Sequence, residues 1–259
     1  MEDKDLVYVD YDVWILPDEE GGEEMLFDTT DRITAEKEEI FDEEEQYGPK
    51  PVILGNGELI EGFEKALLGA DIGKKDSVTI PPEEGFGNRD PRKIELYSRR
   101  ELDRKGVDIA VGARVQMDNR IGTIIQATAG RVRVDYNNPL AGKTVRYDFN
   151  ITEKAETSED IVKAILLKDY SDAEFGIEIG EEKIDIILPD VCKYDHNWAV
   201  AKYRVIGDIR KLLDLELIRF IEVYEMKEEE SEESSEMEEE SNEAQESEVS
   251  QEEVEEEQN

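Results

Sequence analysis

His196 and Cys192 are the only histidine and the only cysteine of the chain. Any nucleophilic centre of the Ser-His-Asp or Cys-His kind would have to use them. The pair is four residues apart and supplies two ligands, where a zinc site takes about four, so a loop or core role suits it better. A lone cysteine forms no disulfide within the chain, and neither a metal nor a cofactor is expected. Gly55-Asn56-Gly57 with Gly62 has the composition of a phosphate loop, but its spacing departs from the dinucleotide pattern and no long βαβ unit follows. What is left is mainly rings and aliphatic side chains, with 10 Tyr, 7 Phe and 2 Trp in the chain. Such a set can crowd and desolvate a bond; it does not suit acid–base or nucleophilic catalysis.

Charge sets further limits. The 259 residues hold 69 acidic and 31 basic side chains, a net charge of -38. That excess argues against a general nucleic-acid coat, whose affinity comes from neutralised phosphates. No stretch approaches the roughly 18 apolar residues of a membrane span. MEDKDLVYVD holds no apolar run of the signal-peptide kind, and a soluble protein of the reducing cytoplasm is predicted. Residues 227–259 carry 17 Glu and one Lys, too little apolar surface to offset chain entropy, so a disordered acidic tail is predicted there. Glu36–Glu45 has seven acids in ten positions and reads as a solvated face. Gly87–Asn138 runs the other way, with 11 basic and 7 acidic residues. A basic island in an acidic chain suggests a separately folding insert with its own partners, and attraction between it and the acidic tail.

The elements that must position these residues follow from periodicity. Leu6–Leu16 reads as a strand with Val7, Val9, Tyr11, Val13 and Ile15 on one apolar parity. Met25–Asp28 is its return strand. Val52–Leu54 is a short strand, and Leu59, Ile60, Phe63, Ala66 and Leu67 have helical spacing that ends at Gly69. Ser77–Ile80 and Thr144–Thr152 are further strands. Between them, Ser98–Arg104 reads as a short helix and Arg114–Asp118, Gly122–Ala127 and Arg131–Tyr136 as strands. After Glu156 an α-β-β-α-β unit is predicted: helices over Ser158–Lys168 and Trp198–Leu213, a hairpin of Glu174–Ile179 and Lys183–Leu188, and a last strand over Leu217–Tyr224. Apolar residues on both faces of that last strand suggest cover by another chain, or burial within its own domain.

Three segments together carry a resemblance: LGNGELIEGFEKALLGADIGKK, IPPEEGFGNRD and NPLAGKTVRYDF. In this order they resemble an FKBP-type peptidyl-prolyl cis-trans isomerase. About 50 residues between Gly-Phe-Gly and NPLAG resemble the SlyD-like subclass, which carries an insert in its flap. The C-terminal unit is similar to the extra domain of long archaeal members. The implied fold is α+β: an antiparallel half-barrel around a helix (residues 1–87 and 139–155), a β-rich insert-in-flap domain (88–138), a C-terminal α-β-β-α-β domain (156–226) and the tail. The implied pocket is Tyr11, Phe27, Asp28, Leu59, Ile60, Phe63, Phe86 and Tyr147, with the Ile60 N–H binding a substrate carbonyl. Phe63 stands where other members often have Trp, Phe86 where many have Tyr, and Tyr147 where many have Phe. Lys50 falls near a usual aromatic position, which Pro51 or Val52 could fill instead.

The resemblance implies a folding chaperone acting on unfolded, proline-containing polypeptides, with the insert delivering them to the pocket. Val111, Val115, Met117, Ile121 and Ile124 are the candidate client contacts of the insert; with Ile109, Ile125 and Val134 they are too many for one small core, so two to four are expected to be exposed. The resemblance also implies a homodimer through 156–226. Two other readings remain: a non-catalytic holdase or scaffold, and an RNA- or ribosome-associated adaptor working through Arg114, Arg120, Arg131 and Arg133, for which only Tyr97 and Tyr136 could stack on bases.

Overall fold

A computed structural model describes residues 1–224 except Glu20, Asp118 and Asp172; the acidic tail predicted over 227–259 lies outside the described residues. By contacts the chain divides into Met1–Phe220 and Ile221–Asn259. Of the second unit only Ile221–Tyr224 are described: the end of the last strand, and a Tyr224 hydroxyl that donates to Glu222 at 2.8 Å.

Within the first unit the predicted α+β class holds, built from antiparallel sheets and few helices. In chain order the elements begin with strands β1 (Leu6–Ile15) and β2 (Met25–Thr29), helix α1 (Arg32–Lys37), β3 (Lys50–Ile53), helix α2 (Glu61–Gly69) and β4 (Lys75–Ile80). Then follow β5 (Ile94–Ser98), α3 (Arg99–Arg104), β6 (Arg114–Met117), β7 (Arg120–Ala127), β8 (Arg131–Asp135) and β9 (Val145–Lys154). The chain ends in α4 (Ser158–Asp169), β10 (Gly176–Ile179), β11 (Lys183–Leu188), α5 (His196–Leu212) and β12 (Leu217–Glu222). Two elements, α1 and β5, were not anticipated from sequence. Helix α1 is six residues long and starts on Asp31, whose carboxylate accepts the Thr34 N–H at 3.0 Å.

Strand β1 organises the first sheet. One edge pairs with β9 from Val7 to Ile15, and the other pairs with β3 at Leu6–Val9 and β2 at Asp12–Ile15. Strand β4 closes the far side of β9. The apolar parity of β1 buries Val7, Val9 and Val13 with Leu54, Phe63, Leu67, Ile80, Tyr147 and Phe149, so α2 lies across a sheet that curves around it. Each large side chain buried there contributes about 1.5–3 kcal/mol.

The opposite parity is not simply solvated. Leu6 (2% exposed) and Ile53 (2%) belong to a second core with Val162, Ile165, Ile186, Trp198, Val205 and Ile209, and Tyr8 packs against it. The C-terminal α-β-β-α-β unit therefore completes its core on the back of β1 and β3. The last strand turns Ile218 and Phe220 to this core, with Phe220 edge-on to Trp198 at 5.5 Å. On its other face Arg219 donates to the two carboxylate oxygens of Asp185 through Nε and Nη2. The third core lies within the insert: Leu102, Val115, Met117, Ile124, Val132 and Val134, under a four-stranded sheet ordered β5-β8-β7-β6.

Helix α2 can approach the sheet closely because Gly62 has no side chain: a Cβ there would lie 2.7 Å from Ile80 Cγ2, and Ile80 is itself 1% exposed. Gly62→Ala is expected to cost about 1–3 kcal/mol through overpacking. Gly69→Ala, at the open end of the same helix with nothing within 4 Å, should be neutral or stabilising by up to about 1 kcal/mol. Urea denaturation midpoints compare the two, and a Gly62→Ala protein as stable as the parent would refute the close packing.

Candidate active site

Most of the ring residues singled out in the sequence meet at one place. Phe63, on the first turn of α2, stacks on Tyr147 of β9 with centroids 4.2 Å apart and planes at 25°. Phe149 meets Phe63 edge-on at 5.4 Å. Tyr11 of β1 lies 6.2 Å from Phe63 and 6.1 Å from Tyr147. Pairs of this kind add about 0.5–1.5 kcal/mol each beyond their area. Register explains the convergence: β1 places Tyr11 opposite Phe149 and Val13 opposite Tyr147, so alternate residues of both strands share the face that α2 covers. Leu59, Ile60 and Phe86 are half-buried against the same cluster.

Asp28 comes in from β2, where its carboxylate accepts the Tyr11 hydroxyl at 3.2 Å. Phe27 stands differently. Asp28 pairs with Val13 and Leu26 with Trp14, which leaves Phe27 as the extra residue of a bulge; bulges re-aim side chains locally. The residue is 44% exposed, and its ring makes no ring contact with the cluster among the described residues. Lys50 turns away: its ammonium pairs with Glu45 at 2.8 Å, while Val52 packs against the aromatic core. Phe149 is the cluster member that sequence reasoning missed; its place two residues after Tyr147 on an alternating strand was the available signal. Ile60 caps α2 at φ -67° and ψ 142° without a side-chain bond, and its N–H finds no acceptor within the chain among the described residues.

The insert corrects part of the sequence reading. Val115 (5% exposed), Met117 (2%) and Ile124 (0%) are core residues, because alternation on β6 and β7 turns all three to the face that α3 covers. They do not line an open surface. Val111 (66%) and Ile121 (65%) are exposed, and so is Leu96 (54%) on the unanticipated strand β5. The two tyrosines available for base stacking are engaged with each other and with Arg120. Their hydroxyls lie 2.8 Å apart, Arg120 sits 4.2 Å over the Tyr136 ring, and the same guanidinium holds Glu95 at 2.8 and 3.0 Å. The two ends of the insert meet at a neck, where the Gly142 N–H donates to the Gly87 carbonyl at 2.8 Å.

Comparison with known proteins bears directly on this arrangement. Residues 1–99 match the family described as FKBP-type peptidyl-prolyl cis-trans isomerase. Residues 98–140 match the FKBP26 IF domain, and 158–225 the FKBP26 C-terminal domain. A short-type peptidyl-prolyl cis-trans isomerase of Methanocaldococcus jannaschii is 34% identical over 128 residues, which is 49% of this chain and 82% of that protein. The SlyD isomerase of Helicobacter pylori is 32% identical, over 49% of this chain and 70% of its own. An FKBP-type 16 kDa isomerase of Escherichia coli K12 is 36% identical, over 40% of this chain and 74% of its own. The chain belongs to the FKBP-type peptidyl-prolyl cis-trans isomerases.

For this isomerase the reaction is rotation about an X-Pro amide, opposed by about 18–20 kcal/mol of lost resonance. No bond is made or cut, which agrees with a site built of rings. Burial, together with the charge and hydrogen bond of Asp28, holds the Tyr11 phenol above its ordinary range. Burial, with Asp28 nearby, pushes Tyr147 up to about 12. Both hydroxyls therefore keep their protons at any pH near neutral. kcat/KM for a short prolyl peptide is expected to be flat from about pH 6 to 9, and a bell-shaped profile would reveal acid–base chemistry. Because folding raises both phenols, native stability is unaffected by them below the unfolded value of about 10. Stability should then fall as pH rises from there through about 12 for Tyr147. Denaturation midpoints measured across alkaline pH check the sign.

Proposed function

We propose that this isomerase acts on unfolded, proline-containing polypeptides in the cytoplasm, and that the insert captures them for the pocket. The reading divides the chain into an isomerase domain (1–87 and 139–155), an insert-in-flap domain (88–138) and a C-terminal domain (156–226). In the pocket, Phe63, Tyr147, Ile60 and Phe86 give the prolyl ring an apolar enclosure, and Tyr11 and Asp28 form a polar anchor. Leu59 shapes the entry to α2. The twisted amide has lost dipolar resonance, so an apolar surround favours it over the planar ground state. An N–H held ready at Ile60 binds its carbonyl. Only interactions stronger in the twisted state accelerate rotation, and the observation that carries this reading is the Phe63–Tyr147 stack beside a free Ile60 N–H.

Support for the chaperone part comes from Leu96, Val111 and Ile121, large apolar side chains left exposed on a domain of about 50 residues. A client held there raises its own effective concentration at the pocket without adding pocket contacts. Because Gly87 and Gly142 adjoin, the insert can be replaced by a short glycine linker. That variant should keep most of its activity on a tetrapeptide and lose about tenfold or more in a proline-limited refolding assay; equal losses on both substrates would refute delivery. A parent chain without any rate gain in refolding would favour the holdase reading.

The C-terminal domain is proposed to join two copies. Helix α5 buries Trp198, Ala201, Val205 and Ile209 on one side and leaves Val200 (50% exposed) and Tyr203 (79%) on the other. Gly207 continues that stripe with open space around it. Tyr194 (89%) and Val191 (58%), in the segment just before α5, are exposed as well. A two-fold axis across α5 would bury the same residues from both copies. A Val200→Glu/Tyr203→Glu chain should have the mass of a monomer by light scattering; a dimeric mass would eliminate this face, and a monomeric parent would eliminate the dimer. Deleting 156–226 is a poorer test, since it uncovers Leu6, Ile53 and Tyr8.

A further inference from the structure

The loop leading into α2 is gripped from outside the catalytic sheet. Gly55-Asn56-Gly57-Glu58 joins β3 to Leu59 and Ile60, turning at Gly55 and Gly57 with φ of 75° and 71°. Two bonds are its own: the Asn56 amide donates to Glu58 at 2.7 Å, and the Gly55 N–H donates to Glu64 at 2.9 Å. Two more come from the C-terminal helices. Lys168 of α4 donates to both carboxylate oxygens of Glu58 at 3.2 Å. Lys211 of α5 donates to the Asn56 side-chain oxygen at 2.7 Å.

The two lysines share one buried anchor. Asp208 has a side chain only 6% exposed and receives Lys168 at 2.9 Å and Lys211 at 3.3 Å. Lys168 also meets Asp169 at 3.2 Å, whose side chain is 4% exposed, and Arg204 donates to the Asp169 carbonyl at 2.9 Å. Exposed ion pairs contribute little because their side chains wander. Here the Lys168 side chain is 13% exposed, so α4–α5 packing fixes where its ammonium meets Glu58. Ile60, with its free N–H, follows Glu58 by two residues.

We propose that Lys168 and Lys211 are positioning residues for isomerisation: through Glu58 and Asn56 they fix the loop that presents the Ile60 N–H to the substrate carbonyl. The C-terminal unit thereby tunes the pocket as well as covering β1. The proposal rests on Ile60 as the carbonyl anchor. A misplacement of about 1 Å in a reacting group can cost up to about 100-fold. The loop keeps its bond from the Gly55 N–H to Glu64, so a smaller loss follows from releasing the lysines.

The test uses the full chain. A Glu58→Ala/Lys211→Met variant removes both grips, and with them the Asn56–Glu58 bond, and leaves Lys168, Asp169 and Asp208 paired; the altered side chains are 47% and 55% exposed. On a short prolyl peptide its kcat/KM should fall about three- to tenfold, with the loss mainly in kcat and the denaturation midpoint kept. Glu58→Gln, which still accepts from Lys168, should stay near the parent. Ile60→Pro is the reference: the φ of -67° suits proline, and the substitution removes the N–H. If Ile60→Pro is impaired and the double variant is not, the positioning proposal is wrong. If Ile60→Pro turns over peptide like the parent, the anchor assignment itself fails and takes the proposal with it. Equal losses in Glu58→Gln and the double variant would also overturn the Lys168 role.

Discussion

The face-to-face contact of Phe63 with Tyr147 does two jobs at once. It fastens α2 to β9 in the middle of the largest sheet, and in the proposed function it is the apolar floor on which a prolyl ring rests. A pocket whose floor is also its core can be neither loosened nor refilled without cost to the fold, since each ring is in contact with Tyr11 or Phe149 as well. Gly62 is drawn into the same constraint: the helix must lie close enough to Ile80 for Phe63 to reach the sheet.

Around that floor the chemistry asks for few ionisable groups, and the charged residues of the first unit are instead used to hold parts together. Asp208 gathers Lys168 and Lys211, Asp185 takes Arg219, and Glu95 holds Arg120 over Tyr136. Each of these carboxylates ties strands or helices distant in sequence. The pull of Arg219 holds the Asp185 carboxyl down at about 2, so this pair persists through ordinary acidity.

Much of this was legible before any coordinates. The period-two pattern of β1 and the helical spacing of Leu59, Ile60, Phe63 and Leu67 were unambiguous because one face of each is wholly apolar. The pocket was legible chiefly through three ordered segments that resemble a family; taken singly, every ring reads as core. What escaped has physical reasons. Strand β5 was hidden because Glu95 and Tyr97 look solvated, yet Glu95 holds Arg120 and the Tyr97 hydroxyl, and that hydroxyl also meets Tyr136. Val115, Met117 and Ile124 were counted as client contacts although strand alternation puts them with Val132 and Val134 on one inner face. Leu6 and Tyr8 sat on the parity of β1 read as outward, and two large apolar residues at one end were the unheeded sign that something covers it.

Pairing β1 with β9 spans most of the first 154 residues, and the cover over Leu6 comes from α4 and beyond. On a translating ribosome, then, β1 can meet β2 and β3 early but must wait for Val145–Lys154 to be made before it can zip to β9. Tyr147 and Phe149 emerge late, so no nascent fragment short of them completes the ring cluster around Phe63. Such long-range closure is slow, and it leaves β4 and one edge of β1 unpaired until β9, the strand between them, has been made.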